Sequence, residues 1–169
     1  MLEIFNTLAY FFEDNYVKIS VREFAKFKKI SPPHASKLLN FFTREGLLTK
    51  EEDRRYHFFQ ANRENKLFVK LQQAYYTKYL EPLTFFLEEQ FLDPVIILFG
   101  SFSKGEINEN SDIDLAIFSP TKKPINLKKF ESKFKREIQL FTFKDRESLN
   151  KNKELLHNIL NGFLLSGSW

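Results

Sequence analysis

The chain has 169 residues, a mass of 20.2 kDa, a formal net charge of +4 and 28% charged residues. This length suits one ordinary domain or two small ones. The absence of cysteine excludes disulfides and thiolate metal sites, so any metal must bind to oxygen or imidazole ligands, which favours hard ions such as magnesium.

Two further features bear on partners and compartment. The mildly basic charge is compatible with a polyanionic partner, but it lacks the dense basic signature of a protein defined by nucleic acid alone. The sequence has no run of about 18 apolar residues, and its amino-terminal residues lack the basic leader and cleavage site of a secretory signal. We therefore expect a cytoplasmic protein without a membrane partner.

The first part of the chain has the signals of two helices joined by a tight turn. Ser20 and Glu23 form the S-x-x-E pattern of a capping box, which opens one helix. Ser31 is followed by two prolines and is placed to cap a second helix, whose first turn tolerates proline. Gly46 supplies the left-handed residue that ends this second helix.

The second helix is expected to be amphipathic. Apolar residues at helical spacing, which should face a core, are Ala35, Leu38, Leu39 and Phe42. The residues that face away are Lys37, Asn40, Phe41 and Arg44. One helix face is therefore available to contact a partner.

A short strand at residues 17–19 precedes the two helices, and a hairpin with a charged turn at residues 51–55 follows them. This order of elements resembles the winged helix-turn-helix domain of MarR-like and ArsR-like transcriptional regulators over about residues 1–64. The resemblance implies that the helix at residues 33–44 enters the major groove of double-stranded DNA and that the wing contacts phosphates. The predicted DNA contacts are His34, Ser36, Lys37, Asn40, Arg44, Arg54 and Arg55.

The same domain has an alternative interpretation as a protein-interaction or dimerisation module. The acidic residues 51–53 weaken the positive field of the wing at a phosphate backbone. Phe41, on the free face of the second helix, fits a protein partner better than DNA. The sequence alone leaves both interpretations open.

Residues 65–93 have the spacing of a long amphipathic helix, which Pro82 should kink or split. The apolar faces at residues 67–91 are too extensive for one small unit to cover, which predicts a homodimer. We therefore divide the chain into a winged helix at 1–64, a connecting helix at 65–93 and a C-terminal domain at 94–169.

The strongest signal for chemistry begins with the apolar run Val95–Phe99, which predicts a buried strand ending at Gly100 and Ser101. Asp112 and Asp114 alternate with apolar residues, so a second strand would direct both carboxylates to one side, about 6 to 7 Å apart. Without a cation, two such carboxylates repel each other. The pair therefore predicts a divalent metal site, and magnesium is the fitting ion.

The order of an apolar strand, Gly-Ser, Lys-Gly and Ser-Asp-Ile-Asp-Leu resembles the active-site signature of the polymerase β-type nucleotidyltransferase superfamily. The similarity is greatest to its minimal, single-domain branch and covers about residues 94–169. It implies an α+β fold with a small mixed sheet, a nucleoside triphosphate such as ATP as substrate or ligand, and an acceptor protein or nucleic acid. The implied nucleotide contacts are Gly100, Ser101, Lys104 and Ser111, and the implied magnesium-binding and catalytic residues are Asp112 and Asp114.

One position departs from the superfamily pattern. Members that transfer nucleotides use a third carboxylate on a later strand, and Gln139 occupies that place here. A neutral amide can neither accept the proton of an attacking hydroxyl nor supply the charge that holds a second magnesium ion. Glu137, a carboxylate from Asp145 or Glu147, or a partner protein could complete the site.

Two functional hypotheses follow. The chain is either a nucleotidyltransferase acting on an unknown acceptor, or a non-catalytic DNA-binding regulator whose nucleotidyltransferase domain only binds or senses nucleotide. Residues 148–160 have helical spacing and should pack against the sheet. The three histidines are isolated in the sequence and support no zinc site.

Overall fold

The computed structural model describes residues 2–53, 56–121, 123–145, 147–148 and 153–168. The chain divides into two compact units. The N-terminal unit comprises Met1–Tyr75 and Glu106–Glu109, and the C-terminal unit comprises Tyr76–Gly105 and Asn110–Trp169. The domain limits expected at residues 64 and 93 differ from the limits of these units and stay a prediction.

The N-terminal unit consists of helices followed by a hairpin. Its elements are α1 (Glu3–Glu13), β1 (Ile19–Ser20), α2 (Val21–Lys28), α3 (Pro32–Arg44), β2 (Leu48–Asp53), β3 (Tyr56–Ala61) and most of α4 (Lys66–Tyr79). The strands form an antiparallel sheet in the order β1-β3-β2. Two helices joined by a tight turn, with a hairpin that pairs with a short strand, make a winged helix-turn-helix fold. The fold predicted for this part of the chain is confirmed.

Local signals set the ends of α2 and α3. The Ser20 hydroxyl accepts a hydrogen bond from the Glu23 N–H, and the Glu23 carboxylate accepts one from the Ser20 N–H, which completes the predicted capping box. Of the strand predicted at residues 17–19, only Ile19 pairs with the sheet, since β1 consists of Ile19 and Ser20 and α2 begins directly after it. Ser31 precedes α3 but makes no capping hydrogen bond through its side chain. Gly46, at a φ of +73°, gives α3 its left-handed stop.

Aromatic side chains fill the core of the N-terminal unit. The ring of Phe12 lies 5.3 Å, between centroids, from the rings of both Phe68 and Tyr75. In α3 the buried residues are Ala35, Leu39 and Phe42. Leu38 was also expected to face the core but is only half-buried, because it lies at the edge of the stripe that these three residues form.

A buried asparagine joins the end of α1 to the segment Glu106–Glu109. The N–H of Asn15 donates to the carbonyl of Ile107, and the Oδ1 of Asn15 accepts from the Ile107 N–H, both at 2.8 Å. Both residues are 0% exposed. This segment therefore packs as part of the N-terminal unit, although the chain on either side of it belongs to the C-terminal unit.

Pro82 splits the predicted connecting helix, as expected. α4 ends at Tyr79, and α5 (Glu81–Gln90) carries Pro82 in its first turn, where the missing amide hydrogen costs no helical bond. Leu83 and Leu87 of α5 are fully buried.

The C-terminal unit is built on one mixed sheet. After α5 its elements are β4 (Val95–Phe99), α6 (Ser101–Lys104), β5 (Ile113–Phe118), α7 (Lys128–Phe134), β6 (Ile138–Phe143), α8 (Lys153–Leu160) and β7 (Phe163–Ser166). The strand order is β6-β5-β4-β7, with β5 and β6 parallel and the other pairs antiparallel. The predicted α+β class with a small mixed sheet is confirmed. Part of the helix predicted at 148–160 lies outside the described residues, and α8 accounts for the rest.

One face of this sheet packs against α8. The buried cluster on that face consists of Val95, Ile97, Phe99, Ala116, Phe118 and Ile159. Because side chains alternate along a strand, Asp114 lies on the same face of β5 as Ala116. The apolar core therefore gives way to a polar residue where β5 begins.

None of the described helices combines the length and the apolar character that a membrane span requires.

Candidate functional site

Three residues, Phe99, Asp114 and Gln139, lie side by side on neighbouring strands of the sheet, where β4 ends and β5 begins. Asp114 pairs with Phe99, the last residue of β4, on one side and with Gln139 of β6 on the other. Asp112 directly precedes β5, and both aspartates are half-buried. The structure therefore brings the two predicted carboxylates and Gln139 together, next to the turn that begins at Gly100.

Gly100 brings the backbone against the side chain of Asp114. Its φ is +68° and its ψ is −143°, a conformation that residues with a Cβ rarely adopt. A Cβ at this position would lie 2.2 Å from Oδ2 of Asp114, which is far inside van der Waals contact. The Gly100 carbonyl accepts hydrogen bonds from the N–H and the Oγ of Ser103, at 3.2 and 2.9 Å. Both the turn and the neighbouring carboxylate therefore require glycine here.

The two aspartates repel each other. Burial, and after it the charge of Asp112, raise the pKa of Asp114 from 3.8 to about 6. Desolvation disfavours the charged form of a carboxyl group, and a nearby like charge adds to that cost. A cation bound beside both carboxylates would remove the repulsion.

Gln139 acts as a hydrogen-bond donor to the first aspartate. Its Nε2 lies 2.8 Å from Oδ2 of Asp112. An amide nitrogen has no lone pair available for a metal, and the amide group carries no net charge. At the place where the superfamily pattern has a third carboxylate, this chain therefore has a neutral donor that holds Asp112.

The other predicted nucleotide contacts lie at the two ends of the loop 102–111 or beside it. Ser101 is the half-buried first residue of α6, and Lys104 is its exposed last residue. The Nζ of Lys104 donates to Oδ1 of Asn158 in α8, at 3.1 Å. Ser111 is half-buried, and its carbonyl accepts a hydrogen bond from Nη1 of Arg136 at 2.7 Å. The contacts of these residues with a nucleotide stay a prediction.

Arg136 contacts both ends of this segment, and the sequence did not identify it as a residue of the site. Its guanidinium carbon lies 5.5 Å from the centroid of the Phe102 ring, while its Nη1 donates to Ser111. One side chain therefore contacts both ends of the loop 102–111. No local pattern marks Arg136, because its partners are distant in sequence.

The alternative carboxylates do not complete a metal site. Glu137 and Glu147 are exposed. Asp145 is also exposed, and hydrogen bonds from the side chain and the N–H of Ser148 lower its pKa. Within the part of the chain that the structure describes, no group of three or more His, Cys, Asp or Glu side chains could hold a metal ion.

The donor set fits one magnesium ion and does not fit a two-metal centre. Asp112 and Asp114 supply the carboxylate oxygens that magnesium prefers, and their repulsion is a cost that a cation offsets. A second ion needs a further carboxylate near Gln139, and the described residues provide none.

The predicted DNA-contacting residues of α3 share one shallow depression. It is lined by His34, Ser36, Lys37, Leu38, Asn40, Phe41 and Arg44. His34, Lys37 and Arg44 are exposed, whereas Ser36 and Asn40 are half-buried. The side-chain amide of Asn40 donates to the carbonyl and the Oγ of Ser36, at 2.8 and 3.2 Å, which uses part of its capacity within the helix. DNA contact by these residues stays a prediction.

The wing is described only in part. Arg54 and Arg55, the predicted phosphate contacts, lie outside the described residues. The strand that leads to them carries exposed acidic residues, and one of these, Glu51, forms an ion pair with Lys18. Phe41 is 45% exposed beside Lys37 and Arg44, so the α3 face combines positive charge with an apolar centre.

Comparison with known proteins bears on both units. Residues 83–160 match the family model described as "Nucleotidyltransferase domain". The match includes β4, Gly100, both aspartates and Gln139. The comparison with curated proteins found no match to this chain.

Among solved structures, the chain is similar to MepR, a transcription regulator of the Staphylococcus aureus multidrug efflux pump MepA. The sequence identity is 22% and the TM-score is 0.39, with 50% of this chain and 61% of that chain covered, so the chain spans less than two thirds of that protein. A likeness at this level supports no inference. The winged-helix assignment rests instead on the element order and the strand pairing.

Proposed function

We propose that the nucleotidyltransferase domain of this chain binds a nucleoside triphosphate with one magnesium ion, and that it serves as the nucleotide sensor of a DNA-binding regulator. The observation that carries this proposal is the hydrogen bond from Gln139 to Asp112, at the position where transfer needs a third carboxylate.

The turn after β4, at Gly100 and Ser101, would bind the phosphates of the nucleotide. Gly100 has no side chain to keep a phosphate away from the backbone, and the Ser101 hydroxyl can donate to a phosphate oxygen. Lys104 adds a positive charge nearby and is exposed to solvent. None of these contributions depends on a third carboxylate, so nucleotide binding is compatible with Gln139.

Asp112 and Asp114 would hold the magnesium ion, which supplies positive charge to the triphosphate when it is bound. The amide of Gln139 would keep Asp112 in place through the bond that it already makes. This arrangement has no group at position 139 that could accept a proton from an attacking hydroxyl. We therefore favour binding over transfer.

Nucleotidyl transfer is the second candidate, because the family match is to a nucleotidyltransferase domain and Glu137 directly precedes the paired residues Ile138 and Ile113. In that reaction an acceptor hydroxyl would lose its proton to Glu137 and attack the α-phosphorus, and pyrophosphate would leave. The acceptor would be a protein or a nucleic acid.

The N-terminal unit supports double-stranded DNA as the partner of the regulator. α3 presents Lys37 and Arg44 to solvent and contains no acidic residue. An electropositive helix face suits the phosphate-lined groove of duplex DNA. A protein partner that uses Phe41 is the competing outcome.

Calorimetric titration of the full chain with magnesium-ATP tests the nucleotide site, with GTP, CTP and UTP as further ligands. We expect the Asp114→Asn variant to bind magnesium-ATP at least about tenfold more weakly, since it removes one of the two carboxylates that would hold the magnesium ion. Asp145→Asn is the matched control, because this carboxylate is exposed and lies outside the site. No binding of any of the four nucleotides would overturn the proposal.

Incubation with α-labelled triphosphate, magnesium and cell extract separates the sensor from the transferase. We expect no labelled acceptor. A labelled product that disappears with Asp112→Asn would establish transfer and reject the sensor.

A homodimer also stays a prediction of the proposed regulator. Leu67 of α4 and Phe85 of α5 are 56% and 58% exposed, so each of these helices leaves a large apolar side chain open to a partner. Light scattering on the full chain measures the mass directly, and a mass of one chain would reject the dimer.

A further inference from the structure

We infer that Phe141, on β6, binds the base of the nucleotide by stacking against its aromatic ring. The inference rests on the proposed function, because it deepens the nucleotide binding proposed above and names the part of the ligand that this residue contacts. The residues that carry the inference all lie in the C-terminal unit. Phe141 is not among the residues predicted for the site.

Phe141 lies on the same face of the sheet as the candidate site. Gln139 of β6 is paired with Asp114 of β5, and Phe141, two residues later, is paired with Ala116. Because side chains alternate along a strand, residues two positions apart share a face. Phe141 therefore follows Gln139 on the side of the sheet that carries Asp114, at a distance of about 7 Å along the strand.

The order of the strands sets the direction in which a nucleotide would lie. The turn at Gly100 and Ser101, which would bind phosphates, follows β4, while Asp112 and Asp114, which would hold magnesium, lie at the start of β5. The next strand beyond β5 is β6, and neighbouring strands are about 4.8 Å apart. A triphosphate that begins at the turn and extends past the aspartates would therefore carry its nucleoside towards β6.

This face of the sheet becomes more open from β4 to β6. Phe99 of β4 and Ala116 of β5 are buried in the cluster that packs against α8. Gln139, Phe141 and Phe143 of β6, the outermost strand, are only half-buried. The Phe141 ring therefore packs against the cluster and also reaches solvent, next to the candidate site.

The ring of Phe141 has a face to offer to a base. Its centroid lies 5.4 Å from that of Phe99, and the two planes meet at 62° in a T-shaped contact. Such a contact joins the edge of one ring to one face of the other, so Phe99 leaves at least one face of Phe141 uncovered. Phe143 is stacked on Phe118 instead and lies about 13 Å from Gln139 along the strand. Phe141 is therefore the better placed of these two half-buried rings.

A purely structural role is the competing interpretation of Phe141, since its ring also packs against the apolar cluster. The two interpretations differ in how they depend on the ligand. A residue that stacks on the base affects only ligands that have a base, whereas a residue that only supports the sheet affects every ligand of the site alike.

The test is calorimetric titration of the full chain with two ligands, magnesium-ATP and magnesium-tripolyphosphate, which both carry three phosphates and differ in the nucleoside. We expect Phe141→Leu to weaken magnesium-ATP binding about fivefold or more, the lower end of measured stacking contributions. The same variant should bind magnesium-tripolyphosphate within about twofold of the unmodified chain, because its phosphate and metal contacts are unchanged.

Two further variants serve as controls. Phe143→Leu makes the same change in another half-buried phenylalanine on the same side of the same strand, and it should leave the affinity for both ligands within about twofold. Phe141→Tyr retains an aromatic ring and should bind magnesium-ATP like the unmodified chain. If Phe141→Leu fails to fold, Phe141→Met takes its place, because methionine adapts to irregular packing.

The outcomes distinguish this inference from the function on which it rests. Unchanged affinity of Phe141→Leu for magnesium-ATP, equal weakening of both ligands, or equal weakening of magnesium-ATP by Phe143→Leu overturns the role of Phe141 and leaves nucleotide binding in place. If tripolyphosphate binds too weakly to measure, the three variants compared on magnesium-ATP decide. Absence of magnesium-ATP binding by the unmodified chain overturns both.

Discussion

The Nε2 atom of Gln139 lies 2.8 Å from Oδ2 of Asp112, and in the parallel register of β5 and β6 the same residue is paired with Asp114. A single neutral amide therefore faces both aspartates at the start of β5. The electrostatic balance of the site depends on this residue, because a carboxylate in its place would be a third negative charge.

We expect Gln139→Asp to lower the melting temperature in the presence of EDTA and to increase the stabilisation by millimolar magnesium. A third carboxylate adds repulsion without the cation and a ligand with it. For a chain of this size, about 1 kcal/mol corresponds to a shift of about 2–4 °C. Gln139→Leu removes the donor without adding charge and should show no extra response to magnesium. An unchanged magnesium response in Gln139→Asp would place the metal elsewhere.

The raised pKa of Asp114 makes stability depend on pH. A carboxyl group whose folded-state pKa is raised to about 6 binds its proton more tightly in the folded state, so stability falls as pH rises from about 4 through about 6. In EDTA, Asp114→Asn should stabilise the protein at pH values above this window by about 1–2 kcal/mol, after allowing for solvent screening of a half-exposed group, and by much less near pH 4. Urea unfolding across this pH range measures the effect. A constant difference at all pH values would contradict it.

Gly100 and Asp114 should be coupled in a double-mutant cycle. Gly100→Ala places a Cβ 2.2 Å from Oδ2 of Asp114 and retains a positive φ, so we expect a loss of about 3 kcal/mol. In an Asp114→Ala background the clash is removed and only the backbone cost of about 1–2 kcal/mol is left. Chemical denaturation of the four proteins gives the coupling. Additive effects would show that the carboxylate does not restrict position 100.

Charge reversal on α3 should weaken duplex DNA binding in a salt-dependent way. Removing one phosphate-binding cation, as in Lys37→Glu or Arg44→Glu, lowers the slope of log affinity against log salt by about one. Fluorescence anisotropy with labelled duplexes at several salt concentrations measures this slope. Lys128→Glu, on an exposed position of α7 in the other unit, is the control. Absence of DNA binding, or binding that does not depend on salt, would contradict the prediction and leave a protein partner as the alternative.

The parts of the fold that could be predicted have local causes. The capping box at Ser20 and Glu23, the stop at Gly46 and the buried strand Val95–Phe99 each depend on neighbouring residues, and each is in the structure. The place of Gln139 came from the resemblance to the superfamily pattern, and in the structure Gln139 pairs with Asp114.

The parts that could not be predicted join residues far apart in the sequence. Asn15 bonds to Ile107 across 92 positions, and Arg136 bonds to Ser111 across 25. An isolated asparagine and an isolated arginine have no periodic pattern, so only the packed structure identifies their partners. Leu38 was misplaced for a related reason, because helical spacing alone does not fix the edge of a buried stripe.

The exchange of hydrogen bonds between Asn15 and Ile107 constrains how this protein can be dissected. A fragment that stops at Tyr75 would lack Ile107, leaving the main-chain N–H and the Oδ1 of Asn15 without their partners and opening a void where a fully buried isoleucine had been. The N-terminal unit is therefore not a self-sufficient fragment when it is cut at Tyr75, and its minimal stable form includes residues 106–109, which lie well beyond its last strand in the sequence.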